Sequence, residues 1–323
     1  MSFTHLHLAS GFSFKYGTTL PHLLVEQARE LGMESLALTD RDGLSGAIRF
    51  TQSCIDNHIA PILGVDIECD NNTRMTLLAT PGSGWSSLVR IVTELKKYGA
   101  PCNLKFLQDN SHYTKNLLAL HGPDSDLGRA LTSRRYDKAL TIYNAARELF
   151  LDQAIECVSH LVYGDGPRST VHAARMLGFA RDHDLPAVLT NAARMRVRDD
   201  APVADVLDAT RHLLPLHKNI VERKNAEAFL KSSEEMEALA EKISSAAGER
   251  RWKKLLATTQ EWADRARLSP RDDIGIGSIH LPEPHVVGAR DHHELTTQLR
   301  HRAIAGINWR YRSEEHTSEL QSH

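Results

Sequence analysis

Met1-Ser-Phe-Thr-His5-Leu-His7 is the stretch that decides how this chain is read. Taken as a strand, it puts residues i and i+2 on one face, so His5 and His7 are spaced to share a metal ion. Two imidazoles alone are a weak signal. With 18 His in 323 residues, about one His-x-His is expected by chance. Support comes from Leu36-Ala-Leu-Thr-Asp40 and Pro61-Ile-Leu-Gly-Val-Asp66, two apolar runs that each end in a carboxylate. The carboxyl ends of strands are where α/β folds assemble their sites.

Outward from these runs, the first two hundred residues alternate short apolar segments with amphipathic ones. The pattern predicts parallel strands at about 3–8, 35–39, 61–67, 75–79, 117–121, 151–158 and 187–190. Helices fall between them, beginning with Pro21 to Leu31, with Thr19 available as cap. Strand-helix alternation at this spacing gives an α/β fold, and seven or so units suggest closure into a barrel. From about residue 205 the character is mostly helical, with charged helices expected over 233–247 and 248–268.

Composition narrows the function classes. Asp plus Glu number 41 against 39 Lys plus Arg, so no global positive field advertises nucleic acid. Cys54, Cys69, Cys102 and Cys157 are scattered without a Cys-x-x-Cys pair, which is the usage of a reducing compartment. No apolar run approaches a membrane span. The expectation is a soluble, cytoplasmic protein with no membrane partner. Arg194, Arg196 and Arg198, and the cluster of Arg250, Arg251, Lys253 and Lys254, either touch a phosphate backbone or form solvated faces. Trp85, Trp252 and Trp262 sit at helical spacing and read as packing residues.

Thr4-His-Leu-His-Leu8, Ala37-Leu-Thr-Asp-Arg41, Gly46-Ala-Ile-Arg-Phe50, Pro61-Ile-Leu-Gly-Val-Asp66, Met75-Thr-Leu-Leu-Ala79, Gly84-Trp-Ser-Ser-Leu88, Leu189-Thr-Asn191 and Ala201 to Leu207 follow one another in a specific order. That order resembles the polymerase-and-histidinol-phosphatase (PHP) domain that opens bacterial DNA polymerase III alpha subunits, nearest to their error-prone subgroup. The resemblance implies a distorted (β/α)7 barrel over 1–205 and a helical extension over 206–278. It also implies the start of a polymerase palm over 279–311, cut short after its first helix. The last twelve residues, 312–323, resemble a translated sequencing-library adapter and are expected to be a non-native tail packing against nothing.

Members of this family that hydrolyse phosphates hold up to three metals in a ring of His, Asp, Glu and Cys. Here His5, His7 and Asp40 stand at ligand positions, and Asp66 stands where Glu is usual. Arg41, Arg74 and Arg194 occupy positions where His is expected, and Ala192 one where Asp is expected. A guanidinium offers donors only and cannot ligate a metal. Two unit charges about 5 Å apart repel by roughly 3 kcal/mol at an effective dielectric near 20. The pocket therefore reads as degenerate, with an arginine expected within about 4 Å of Asp40 or Asp66. Two alternatives stay open: the arginines point to solvent, or His5, His7 and Asp40 retain a single metal. His121, Glu156 and His160 are placed at the rim, with Glu156 structural and His121 a loop residue without chemistry.

The implied function is the N-terminal part of a DNA-directed DNA polymerase, with the PHP barrel a scaffold. Palm carboxylates holding Mg2+ lie downstream of residue 311 in the family, so this chain alone is expected to be inactive, with no PHP metal. Expected partners are template-primer DNA and nucleotides through the missing domains, with the sliding clamp and other replication or repair proteins. The alternative is a free-standing metal-dependent phosphoesterase resembling histidinol phosphatase, which needs an intact ligand ring. A binding module with no polymerase attached is a third reading.

Overall fold

Strands β1 (Ser35–Arg41), β2 (Ala60–Cys69), β3 (Thr73–Ala79), β4 (Leu117–His121), β5 (Asp152–Val158) and β6 (Ala187–Thr190) form one sheet in sequence order. The computed structural model describes residues 2–99, 101–215, 224–279 and 283–310, in two compact units divided between Ile276 and Gly277. The expected tail at 312–323 lies outside the described residues. Helices α1 (Pro21–Glu30), α2 (Ala47–Asp56), α3 (Gly84–Tyr98), α4 (Leu104–Asp109), α5 (Ser111–Thr114), α6 (Asp126–Thr132), α7 (Tyr136–Ala146) and α8 (Thr170–Asp182) fill the connections. Pro21 starts α1 where its missing N–H costs nothing. Leu20 takes the cap position there, while the Thr19 hydroxyl bonds Asp200 at 3.3 Å, so Thr19 is not the cap.

The sheet is not all parallel. β2 pairs antiparallel with β3, and β3 antiparallel with β4, while the other neighbours are parallel. Asp70-Asn71-Asn72 is the reason. A parallel crossover needs a dozen or more residues, whereas these three make a tight turn with Asn71 and Asn72 at positive φ. The expected parallel strand at 75–79 is therefore the second arm of a hairpin.

The expected first strand, 3–8, is the irregular seventh stave that closes the ring. Its backbone bonds β1 on one side, Ala37 N to His5 O at 3.0 Å and Thr39 N to Leu8 O at 2.8 Å. On the other side Ala9 N donates to Ala193 O at 2.9 Å, just past β6. The four residues from His5 to Leu8 thus oppose the three from Ala37 to Thr39. The extra residue is a bulge, and a bulge switches which side chains face inward.

Alternation along the strands sorts the core. Ala37, Ile62, Leu78, Leu118, Leu120, Ala154 and Val188 fill the barrel interior with Leu6, and Trp262, Ala263 and Ala266 complete that cluster. Leu36, Leu38, Leu63, Val65, Leu77 and Ala119 face outward under the helices. Helices α9 (Ala201–His212), α10 (Ser233–Ala246) and α11 (Trp252–Ala266) follow the barrel. Ser232 caps α10 in a capping box with Glu235. Through Trp262, α11 is part of the barrel's own core rather than a decoration; truncating so large a buried ring costs about 3–5 kcal/mol.

The second unit contains a short 3-10 turn at Pro284–Val287 and helix α12 (His292–Arg310). Leu299, Ile304 and Trp309 are exposed on α12. No helix among the described residues is long and apolar enough to cross a membrane.

Candidate functional site

The mouth at the carboxyl ends of the parallel strands is built from inward-facing positions. In β1 these are Ala37, Thr39 and Arg41; in β2 Ile62, Gly64 and Asp66; in β3, which runs the other way, Arg74, Thr76 and Leu78. His7, Asp66, Glu156 and Ala192 line this mouth with Arg41 and Arg74.

Asp66 is only 4% exposed and takes two guanidiniums. Arg74 Nε lies 2.8 Å from Asp66 Oδ2, and Arg41 Nε lies 3.4 Å from the same oxygen. Arg74 also donates to the Asp66 carbonyl oxygen at 2.6 Å and to Asp42 Oδ2 at 3.1 Å. Burial opposes its charge, but the two aspartates outweigh burial and push the Arg74 pKa further up. Arg194 is held elsewhere, by the buried Asp208 at 2.9 Å.

His7 Nδ1 sits 2.7 Å from Glu156 Oε1, which also accepts from the Thr190 hydroxyl at 2.6 Å. Thr76 Oγ1 is 3.3 Å from the same ring nitrogen. Burial disfavours the imidazolium, but the adjoining Glu156 carboxylate outweighs it and raises the His7 pKa to about 9. At neutral pH His7 is thus a cation paired with Glu156, and a metal at this ring would have to displace its proton. Glu156, expected as a structural rim residue, is buried in the mouth as the counter-ion of His7.

Three expected residues point away from the mouth. The bulge turns His7 into the mouth but leaves His5 on the side of Phe3, with ring centroids 5.0 Å apart, and Phe3 belongs to the outer core. His5 Nε2 bonds Lys231 O at 3.0 Å, and burial lowers its pKa to about 4. Asp40 has the same parity as Leu36 and Leu38. Its carboxylate accepts from Ser10 N at 2.6 Å, Ser13 Oγ at 2.7 Å and Ser10 Oγ at 2.9 Å. Burial raises its pKa, with the serine donors pulling against that. His121 is not a rim loop residue: it ends β4 facing outward, buried, with Nε2 2.8 Å from Gln153 Oε1. His160 lies past β5, bonded to Asn191 O at 2.7 Å, and burial with the nearby Arg168 charge lowers its pKa to about 3.

The mouth includes Tyr16, Asp124 and Arg168, which the sequence did not single out for a role there. Arg168 and Asp124 form a close ion pair, and the Arg41 guanidinium carbon stacks 3.3 Å from the Tyr16 ring centroid. All three sit on loops that follow the first stave, β4 and β5, and position at those ends was the available signal. So filled, the mouth keeps a cavity of about 20 Å³, space for about one water. Among the described residues, no group of three or more His, Cys, Asp or Glu is placed to hold a metal ion.

Residues 5–160 match the PHP domain. This chain carries a PHP domain. Several of its curated relatives are named as DNA polymerases. An error-prone DNA polymerase from Symbiobacterium thermophilum is 30% identical over 264 residues, 73% of this chain and 23% of that protein. One from Pseudomonas fluorescens is 27% identical over 216 residues, 67% of this chain and 20% of that protein. The DNA polymerase III subunit alpha of Buchnera aphidicola is 26% identical over 76% of this chain and 22% of its own length. The chain thus spans between a fifth and a quarter of the length of these relatives. Of solved structures, an amidohydrolase from Chromobacterium violaceum matches the PHP-containing chain over 60% of its length, at 14% identity and a TM-score of 0.41. That likeness is too loose to bear on the site.

Proposed function

We propose that this chain is the N-terminal part of a DNA-directed DNA polymerase of the DNA polymerase III alpha type, from the error-prone subgroup, with its PHP barrel a scaffold that works without metal. The observation carrying the scaffold reading is Asp66 gripped by both Arg41 and Arg74. A divalent ion at that carboxylate would have to displace two fixed cations and find its remaining ligands among groups already engaged. His7 is committed to Glu156, Asp40 to Ser10 and Ser13, and His5 to a main-chain carbonyl. The donor set does not fit a hydrolytic metal cluster, so no hydrolytic step is assigned to it.

In this reading the salt bridges do for the mouth what metals do in a hydrolase: they neutralise the converging carboxylates and tie the strand ends together. Nucleotide addition, with its Mg2+, and contact with template-primer DNA belong to domains after residue 311, in a cytoplasmic enzyme. Sequencing the source DNA beyond codon 311 tests the polymerase reading. The expected result is an open frame encoding a palm with paired aspartates, and a natural stop codon nearby would contradict it. Phosphomonoesterase and 3′–5′ exonuclease assays of the purified chain are expected at background.

A further inference from the structure

Beside the filled mouth lies an open cavity of about 390 Å³ whose wall includes Tyr16, Arg41, His160, Arg168, Arg194 and Lys224. Four of these six carry positive charge at neutral pH, and among the described residues lining the cavity none is acidic. The carboxylates that hold the guanidiniums stand outside the wall: Asp66 for Arg41, Asp124 for Arg168 and Asp208 for Arg194. Tyr16 spaces the arginines, its ring centroid 3.3 Å from the Arg41 guanidinium carbon and 4.3 Å from that of Arg194. They are therefore fixed in place before any ligand arrives.

One donor remains unmet. Nε of Arg194 is buried without a hydrogen-bond partner among the described residues, and Arg194 as a whole is only 7% exposed, whereas Nε of Arg41 faces the Asp66 carboxylate at 3.4 Å. A buried cationic N–H without an acceptor is costly, and a small anion is the ligand that supplies one. Planar guanidinium forks match the oxygens of a phosphate, and the exposed Lys224 adds a flexible charge at the entrance.

We propose that this cavity binds a phosphate-type dianion, either free phosphate or the 5′-phosphate of a nucleotide. No bond is made or broken in it; the site recognises and holds. The proposal is independent of the scaffold reading, because a mouth without metal is compatible with this cavity either binding or ignoring anions.

Calorimetric titration of the purified chain at constant ionic strength tests it, with inorganic phosphate, a deoxynucleoside 5′-monophosphate and the unphosphorylated deoxynucleoside as probes. The expected result is saturable binding of both phosphate-bearing probes and none of the bare nucleoside. Tighter binding of the monophosphate than of phosphate would make the nucleotide the source, and equal binding the free ion. Lys224→Glu, a surface change, and Arg41→Gln are each expected to weaken binding about ten-fold or more. Melting curves show that each variant is folded. Absence of saturable binding by both phosphate-bearing probes, or equal affinity in both variants and the parent chain, overturns the proposal.

Discussion

Arg74 grips both the side chain and the main chain of Asp66: its guanidinium lies 2.8 Å from the carboxylate and donates to the carbonyl oxygen at 2.6 Å. One arginine thereby ties β3 to the mouth end of β2. Removing it leaves a carboxylate that is 4% exposed with only the more distant Arg41.

Arg74→Ala is expected to lower unfolding stability by about 2–4 kcal/mol, because breaking a buried pair strands the remaining charge. Urea unfolding of the chain and of this variant measures the difference. Asp66→Asn, which leaves no stranded carboxylate, is expected to cost less. Equal stability of Arg74→Ala and the parent would show that the contact contributes nothing.

Stability is expected to peak near pH 6.5. His7 has a folded value of about 9 against an ordinary 6.5, so its contribution is complete below about pH 6.5 and is lost as pH rises toward 9. His5 and His160 are shifted the other way, to about 4 and about 3. The unfolded chain takes up their protons first, so they withdraw stability as pH falls below 6.5. Urea unfolding at pH 5, 6.5 and 8.5 should give the highest value in the middle, and Glu156→Gln should flatten the alkaline side. Stability still rising between pH 6.5 and 8.5 would contradict the His7 assignment.

Gly122 leaves the space that Glu156 needs. A Cβ built there would stand 2.2 Å from Glu156 Oε2. Gly122→Ala should therefore push the carboxylate off His7 and bring the His7 pKa down toward 6.5. NMR titration of the ring resonances reads this directly, and an unchanged value near 9 would rule out the coupling.

The barrel was legible because strand-helix alternation and apolar runs report the fold directly. What misled was parity. The run ending in Thr39-Asp40-Arg41 shows that acid and base point to opposite sides, but not which side is the interior. The bulge between His5 and Leu8 is invisible in sequence, because only pairing with Ala37 and Thr39 exposes the extra residue. Asn71-Asn72 did signal a hairpin, and the expectation of an all-parallel sheet passed over it. Tyr16 and Arg168 lie on loops whose long-range contacts no local pattern encodes.

Parity also sharpens which substitutions could build a metal site. Arg41→His with Arg74→His places two imidazoles beside Asp66 and is expected to create measurable Mn2+ or Zn2+ binding. Arg194→His should add nothing, since Arg194 serves Asp208. Titration of the double and triple variants separates the two, and a requirement for the third change would show that position 194 also reaches the mouth.

The proposal that arginines stand in for metal at the PHP mouth is tested most directly by metal analysis of the unaltered chain. The purified protein is incubated with excess Mn2+ or Zn2+, desalted, and its bound metal counted by mass spectrometry alongside a His7→Ala variant. The arginine-filled mouth predicts well under one ion per chain, with no difference between the two proteins. One or more tightly bound ions per chain, lost in His7→Ala, would contradict it.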